Sequence, residues 1–119
     1  MSLIVAFDVD DTLIVPAAAT GLDRDVPNYD TIVVYRWFES QGHVMVVWSG
    51  GGADYARHWA DVLGLKPTYC FDKHDAYVQP DIAFDDADLT LGKVNVKVRR
   101  VNNKVVRYPD RVAARRAQS

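Results

Sequence analysis

The chain has 119 residues, a net charge of −2, 49% hydrophobic residues and 25% charged ones, a composition that fits one soluble domain with a single core and excludes a disordered or repetitive chain. Its N-terminal apolar run, Leu3 to Phe7, is cut off by Asp8 and is too short for a signal-peptide core or a membrane span. The one cysteine, Cys70, permits no internal disulfide, so a reducing, cytoplasmic setting is expected and Cys70 reads as a packing residue.

The segment LIVAFD (3–8) has no polar alternation and predicts a strand buried on both faces. It runs directly into FDVDDTL, which places Asp8, Asp10 and Asp11 within four residues. Carboxylates so close repel one another and are poor strand formers. A bound divalent cation would offset that cost; a solvated turn with capping acids is the plainer alternative. Residues 14–27 hold two prolines and three alanines and read as a loop. Residues 29–41 predict a helix, with Asn28 or Asp30 at its start, Ile32, Tyr35 and Trp37/Phe38 as the apolar side, and Gly42 as the stop.

VMVVW (44–48) predicts a second buried strand, with Trp48 packed on the sheet. Ser49-Gly50-Gly51-Gly52 then opens a helix to about Leu63, striped by Ala56, Trp59, Ala60 and Leu63 and stopped by Gly64. TYCF (68–71) and DIAFD (81–85) are the third and fourth strands. VNVKV (94–98) and KVVRY (104–108) alternate around Asn102-Asn103. They form either an antiparallel ribbon, or the first is the last strand of the main sheet. RVAARRAQS is compatible with a helix or a frayed end.

Strands alternating with helices predict an α/β fold: an open three-layer α/β/α sandwich around a mainly parallel, Rossmann-like sheet. Residues 1–108 read as one domain and 109–119 as a basic tail that can be flexible. Ligands in such sheets bind beyond the carboxyl ends of the strands. Asp8, Ser49 and Asp85 each close a predicted strand there. Charge is also divided along the chain: residues 1–91 hold 15 acids against 5 Lys/Arg, a net −10, and residues 92–119 hold 9 Lys/Arg against 1 acid, a net +8.

D-x-D-x-T after strand one, Ser-Gly after strand two, Lys73 after strand three and Asp85-Asp86 after strand four form an ordered set. It resembles the four motifs of the haloacid dehalogenase-like superfamily, present here as FDVDDT, VVWSGGG, Lys73 and AFDD across residues 3–90. The resemblance implies Mg²⁺ held by Asp8, the Asp10 backbone carbonyl and Asp85, with the strands of Asp8 and Asp85 adjacent. An acid at position 10 marks the phosphatases and phosphotransferases of the superfamily rather than its carbon–halogen hydrolases. Only about 35 residues separate Asp8 from Val44, so no cap domain is expected and the site should be open.

The residues themselves support such chemistry. Asp8 can act as nucleophile and form an aspartyl-phosphate. Asp10 can protonate the leaving oxygen and later deprotonate water, a role suited to a raised pKa. Thr12, Ser49 and the N–H groups of Gly50 and Gly51 can hold phosphoryl oxygens. Lys73 would neutralise charge on Asp8 and on the phosphoryl group; Lys66, beside Pro67, is the rival lysine. Ser49 can equally serve as a helix cap, and Asp86 and Asp88 as groups behind the ligands or as caps. His43, His58 and His74 lack metal-ligand spacing, though His74 is near enough to Lys73 to line the site.

Two rival readings remain at this level. Response-regulator receiver domains use an acidic pair, a Ser/Thr and a Lys, but there the pair ends the first strand. A binding module of the same fold could engage nucleic acid or another polyanion through Lys93, Lys97, Arg99, Arg100, Lys104, Arg107, Arg111, Arg115 and Arg116. The plain alternative is that these cations offset the acidic body. The expected partners are a phosphorylated substrate, either a small molecule or a macromolecular end, and a second copy of the chain; no membrane is expected.

Overall fold

The computed structural model describes residues 2–17 and 24–99. Asn102-Asn103, the expected strand 104–108, the expected tail 109–119 and the cations from Arg100 onward lie outside the described residues. Among the described residues, no helix is long and apolar enough to cross a membrane.

The unbroken apolar runs become the strands of one parallel sheet. β1 (Ile4–Asp8) lies at its centre between β4 (Val44–Ser49) and β6 (Ile82–Asp85). β5 (Tyr69–Asp72) and β7 (Val94–Lys97) are the edges, and the order is β5-β4-β1-β6-β7 with every pair parallel. Taken as the sheet's own first to fifth strands, this is 3-2-1-4-5, not the 2-1-3-4-5 order of receiver-type folds. The receiver reading is therefore set aside. The order reverses between β1 and β6, so the carboxyl ends of these two strands flank the switch point where such sheets bind ligands.

VNVKV thus takes the second of its two expected roles, as the last strand of the main sheet. Its connection from β6 spans only residues 86–93, shorter than the usual parallel crossover. Two features make this possible. Asn95 accepts N–H bonds from Leu91 at 2.7 Å and Gly92 at 2.9 Å and donates to the Gly92 carbonyl at 2.8 Å, closing the turn. Gly92 also passes so near the start of β6 that an added Cβ would lie 3.0 Å from the Pro80 carbonyl oxygen.

The two faces of the sheet are covered differently. On one, Val5, Phe7, Met45, Val47 and Phe84 meet both helices, α1 (Tyr29–Ser40) through Ile32 and Tyr35, and α2 (Ala53–Val62) through Ala56 and Ala60. Phe7 stacks on Phe84 at 4.4 Å and meets Tyr35 edge-on at 5.1 Å. On the other, Ala6, Val46, Trp48 and Ala83 are covered by Phe71, Ala76, Val78 and Leu91. The expected third layer of helix is therefore not found among the described residues. The connections 73–81 and 86–93 are too short to carry one. Trp48, packed on the sheet as expected, supplies bulk on this face beside two alanines.

Several local expectations shift. The stretch 14–27 is not wholly loop: β2 (Ile14–Val15) pairs antiparallel with β3 (Val26–Pro27), because Ile14 and Val15 are buried and their backbones need partners. Asn28 occupies the N-cap of α1, but its side chain makes no capping bond, and Asp30 sits in the first turn where it faces the positive end of the helix. Of the Trp37/Phe38 pair, Phe38 packs on the core and Trp37 is exposed. Gly42 and Gly64 end the helices at φ of +80° and +70°, as their positions predict.

Candidate active site

Asp8, Ser49 and Asp85 are the last residues of β1, β4 and β6, all at the carboxyl edge of the sheet and all buried. Val5, Ala6 and Phe7 pair with Ile82, Ala83 and Phe84, so the same register carries Asp8 alongside Asp85. Side chains alternate along a strand, and the parity of Ala6 and Ala83 aims both carboxylates to the side away from the helices. One oxygen each from Asp8, Asp85 and Asp86 lies within 4.8 Å of the others. Asp86, expected behind the ligands, thus stands beside them. No helix follows it among the described residues, so it caps none there.

Lys73 joins the acids. Its ammonium is 3.0 Å from Asp8 Oδ1 and 2.7 Å from Asp85 Oδ2. A tight turn after β5 puts it there. Asp72 accepts the His74 N–H at 2.9 Å on its side chain and the Asp75 N–H at 3.1 Å on its carbonyl, while the Lys73 N–H binds the Ser49 carbonyl at 3.0 Å. Lys66 is exposed, and its backbone N–H meets Glu39 at 3.2 Å. Of the two rival lysines, Lys73 is the one that meets the acids.

Burial dominates the electrostatics. It pushes the Asp8 carboxyl up to about 7, with the Lys73 charge opposing the shift and Asp85 adding to it. Asp86 is also raised, by burial first and then by Asp85 and Asp11. Burial works against the Lys73 ammonium, but its hydrogen bonds and proximity to Asp85 and Asp8 outweigh this and raise it. Asp85 is held by two bonds: Oδ2 takes the Lys73 ammonium and Oδ1 takes the Ala87 N–H at 2.9 Å. Among the described residues, the three carboxylates gather beside the Lys73 ammonium, which pairs with Asp8 and Asp85.

The loop after β1 folds tightly, with the N–H groups of Thr12, Leu13 and Ile14 all directed at the Val9 carbonyl at 3.2, 2.9 and 3.0 Å. Asp11 adopts φ of +61°, in the left-handed region that aspartate tolerates better than most residues. Thr12 is fully buried, and its hydroxyl has no hydrogen-bond partner among the described residues. A buried hydroxyl without a partner is costly, and a phosphoryl oxygen within reach would relieve it. Asp10 lies outside the three-carboxylate cluster. Its Oδ1 accepts the Tyr55 hydroxyl at 2.7 Å. Burial, followed by the bond to Asp10, pushes the Tyr55 hydroxyl up to about 12, so it remains a donor at neutral pH.

Tyr55 had no role in the sequence reading. The available signal was its place in the first turn of the helix that follows Ser49-Gly50, which returns it to the same edge of the sheet.

The glycine loop needs one correction. The Gly51 N–H, expected free for a phosphoryl oxygen, is bound to Ser49 Oγ at 3.0 Å. A serine two residues before an N–H readily makes this local turn. Because Oγ accepts there, the serine proton points elsewhere and can still be donated. Gly50 is exposed beside His74: a Cβ there would meet His74 Nε2 at 3.4 Å. His74 therefore borders the loop.

Elsewhere, His43 accepts the Leu3 N–H at 3.0 Å and tilts against Phe38, a structural use. Cys70 is partly buried against the core. Lys93 pairs with Asp81 at 3.3 Å and Lys97 with Asp88 at 3.0 Å, so these two cations flank β7 and offset the acidic body. No protein-family model, curated protein or solved structure matches the chain. The functional reading therefore rests on this geometry and the motifs that form it.

Proposed function

We propose that the protein is a Mg²⁺-dependent phosphoric monoester phosphatase of the haloacid dehalogenase-like type, without a cap domain, working through an aspartyl-phosphate on Asp8. The observation that carries this reading is the meeting of Asp8, Asp85 and Asp86 with Lys73 at the sheet's switch point. Three hard carboxylate oxygens within 4.8 Å of one another suit a small divalent cation. Asp8, Asp85 and Asp86 would hold it, joined by the Asp10 carbonyl on the superfamily resemblance. When bound, the ion would supply neutralisation of the carboxylates and of phosphoryl oxygens.

The remaining chemistry belongs to the chain. An Asp8 carboxylate oxygen attacks phosphorus, and the bond from phosphorus to the ester oxygen breaks. Asp10 gives a proton to the departing oxygen, then takes one from the water that hydrolyses the acyl phosphate. Tyr55 fixes the Asp10 carboxylate in place for both transfers. Thr12, Ser49 and the Gly50 N–H receive phosphoryl oxygens, and Lys73 balances the charge that gathers between Asp8 and phosphate. A protonation range near neutrality for ion-free Asp8 fits this scheme, since a nucleophilic carboxylate in that pocket needs added positive charge to stay ionised.

Phosphate release from p-nitrophenyl phosphate tests the reading. It should require Mg²⁺ and be absent in Asp8→Asn. Lack of turnover across a broad panel of phosphate monoesters would overturn it.

A further inference from the structure

Beside the acid cluster lies a cavity of about 260 Å³ that no step above uses. Ala83, Asp85, Asn95 and Lys97 line it together with the 87–90 loop. Asp85 belongs to both places: it faces Lys73 in the cluster and lines the cavity. Lys97 is the register partner of Asp85 on the neighbouring strand. The cavity therefore begins one strand spacing, about 4.8 Å, from the proposed reaction centre. It is smaller than the ~300–1,000 Å³ of pockets that enclose drug-sized ligands, so it suits a short fragment.

Its polar groups differ in availability. Asn95 spends its amide on the 91–92 turn, and Asp85 is bonded through both oxygens. Among the described residues Lys97 pairs with Asp88, and the two side chains are 57% and 82% exposed. Exposed pairs of this kind contribute little, and Asp88 can rehydrate at small cost if it lets go. A substrate anion can thus replace the Asp88 carboxylate at Lys97 while Asp88 returns to water. Lysine offers three donors and no acceptor, so it favours an anion over a neutral hydroxyl.

We propose that this cavity receives the leaving-group end of the substrate and that Lys97 reads a second negative group on it. The preferred substrates are then small phosphate monoesters, of about three carbons, bearing a carboxylate or a second phosphate. This deepens the phosphatase reading and rests on it.

The test compares kcat/KM for glycerol 3-phosphate, 3-phosphoglycerate and propane-1,3-diyl bisphosphate. The first lacks a second charge, the second carries a carboxylate and the third a phosphate. One or both doubly charged esters should exceed glycerol 3-phosphate by about tenfold or more, chiefly through KM, and which of them does so identifies the anion. Lys97→Met should bring the ratio close to one. Asp88→Asn, which frees Lys97, should raise it, a change that a merely structural role for the pair would not produce. Lys66→Met, on a remote exposed lysine, should leave it as it is. A ratio near one in the native protein, or one unmoved by Lys97→Met, overturns the proposal.

If none of the esters nor p-nitrophenyl phosphate is hydrolysed, the phosphatase reading fails separately. Binding then decides: 3-phosphoglycerate or the bisphosphate must shift the amide resonances of Asp88, Leu89, Thr90 and Lys97, and must not do so in Lys97→Met. Unshifted resonances overturn the cavity's assignment as well.

Discussion

β6 is bracketed by two aspartates four residues apart that are put to opposite uses. Asp81, just before the strand, accepts the Ile4 N–H at 2.8 Å and pairs with Lys93 at 3.3 Å. The backbone bond and then Lys93 hold its carboxyl below the usual range. Asp85, at the far end, is buried in a cluster of acids where burial lifts neighbouring Asp8 to about 7. Asp81 ties β1 to β6 and stabilises the fold as a charged group. At the other end, burial and the nearby acids outweigh the Lys73 charge at Asp8. The fold stabilises Asp81 as a charged group and disfavours the charged form of Asp8, so a bound cation would act on the second and not on the first.

Neutralising each end in turn should separate the two uses. Asp8→Asn is expected to lower phosphatase turnover by at least ~10³-fold, because an amide cannot serve as the nucleophile. Asp81→Asn should leave kcat/KM within about twofold and lower the melting temperature instead. The pH dependence of ion-free stability should also differ. A carboxyl raised from 3.8 to about 7 on folding is protonated more in the native than in the unfolded state between those values. Its contribution is therefore present below pH 4 and is lost as pH climbs toward 7, by up to about 4 kcal/mol for a shift of this size. Asp81 acts the other way, with its contribution lost as pH falls through its lowered range. Asp8→Asn should flatten the decline between pH 4 and 7 in urea titrations; a slope that persists in Asp8→Asn would assign it to other groups.

Magnesium should stabilise the charged acids at one end only. At a concentration a hundredfold above its dissociation constant, an ion that binds only the folded chain stabilises it by about 2.7 kcal/mol. For a domain of this size that corresponds to a rise in melting temperature on the order of 10 °C. Calorimetry at neutral pH should show this rise in the native protein and in Asp81→Asn, and its loss in Asp85→Asn. A rise that survives Asp85→Asn, or that Asp81→Asn removes, would place the ion elsewhere.

What could be read from the chain divides along the same physical line. Strand cores were legible because LIVAF and VMVVW have no polar interruption, and the ends of those runs expose Asp8 and Ser49 as residues a strand does not want. Asp85 was legible for the same reason. β7 was not, since VNVK alternates equally well in a ribbon or at a sheet edge, and all four of its residues are exposed. The second face, covered by loop and strand residues and not by a helix, was hidden as well: Ala6 and Ala83 read as unremarkable strand residues until register places them together beside Trp48. Asp86 could not be told from a cap without knowing where the chain turns after β6. These are all consequences of long-range register, which single-strand patterns do not encode.

The smallest expected effect concerns the group that the sequence placed without its support. Asp10 is proposed to move the proton, yet it stands outside the carboxylate cluster and is held by the Tyr55 hydroxyl. Tyr55 reaches it from the first turn of α2, and Asp10 from the tight loop after β1. Tyr55→Phe removes one hydrogen bond to a carboxylate, which is worth about 1.5–3 kcal/mol when charged and less when it is open to water. Stability should fall by about 1 kcal/mol. If the bond orients Asp10 for proton transfer, kcat should fall about tenfold with KM little changed, and the loss should be smallest for p-nitrophenyl phosphate, whose leaving group needs least help from an acid. Equal losses for activated and unactivated esters would make Tyr55 a packing residue only, placing it with Asp81 among the groups that hold the fold.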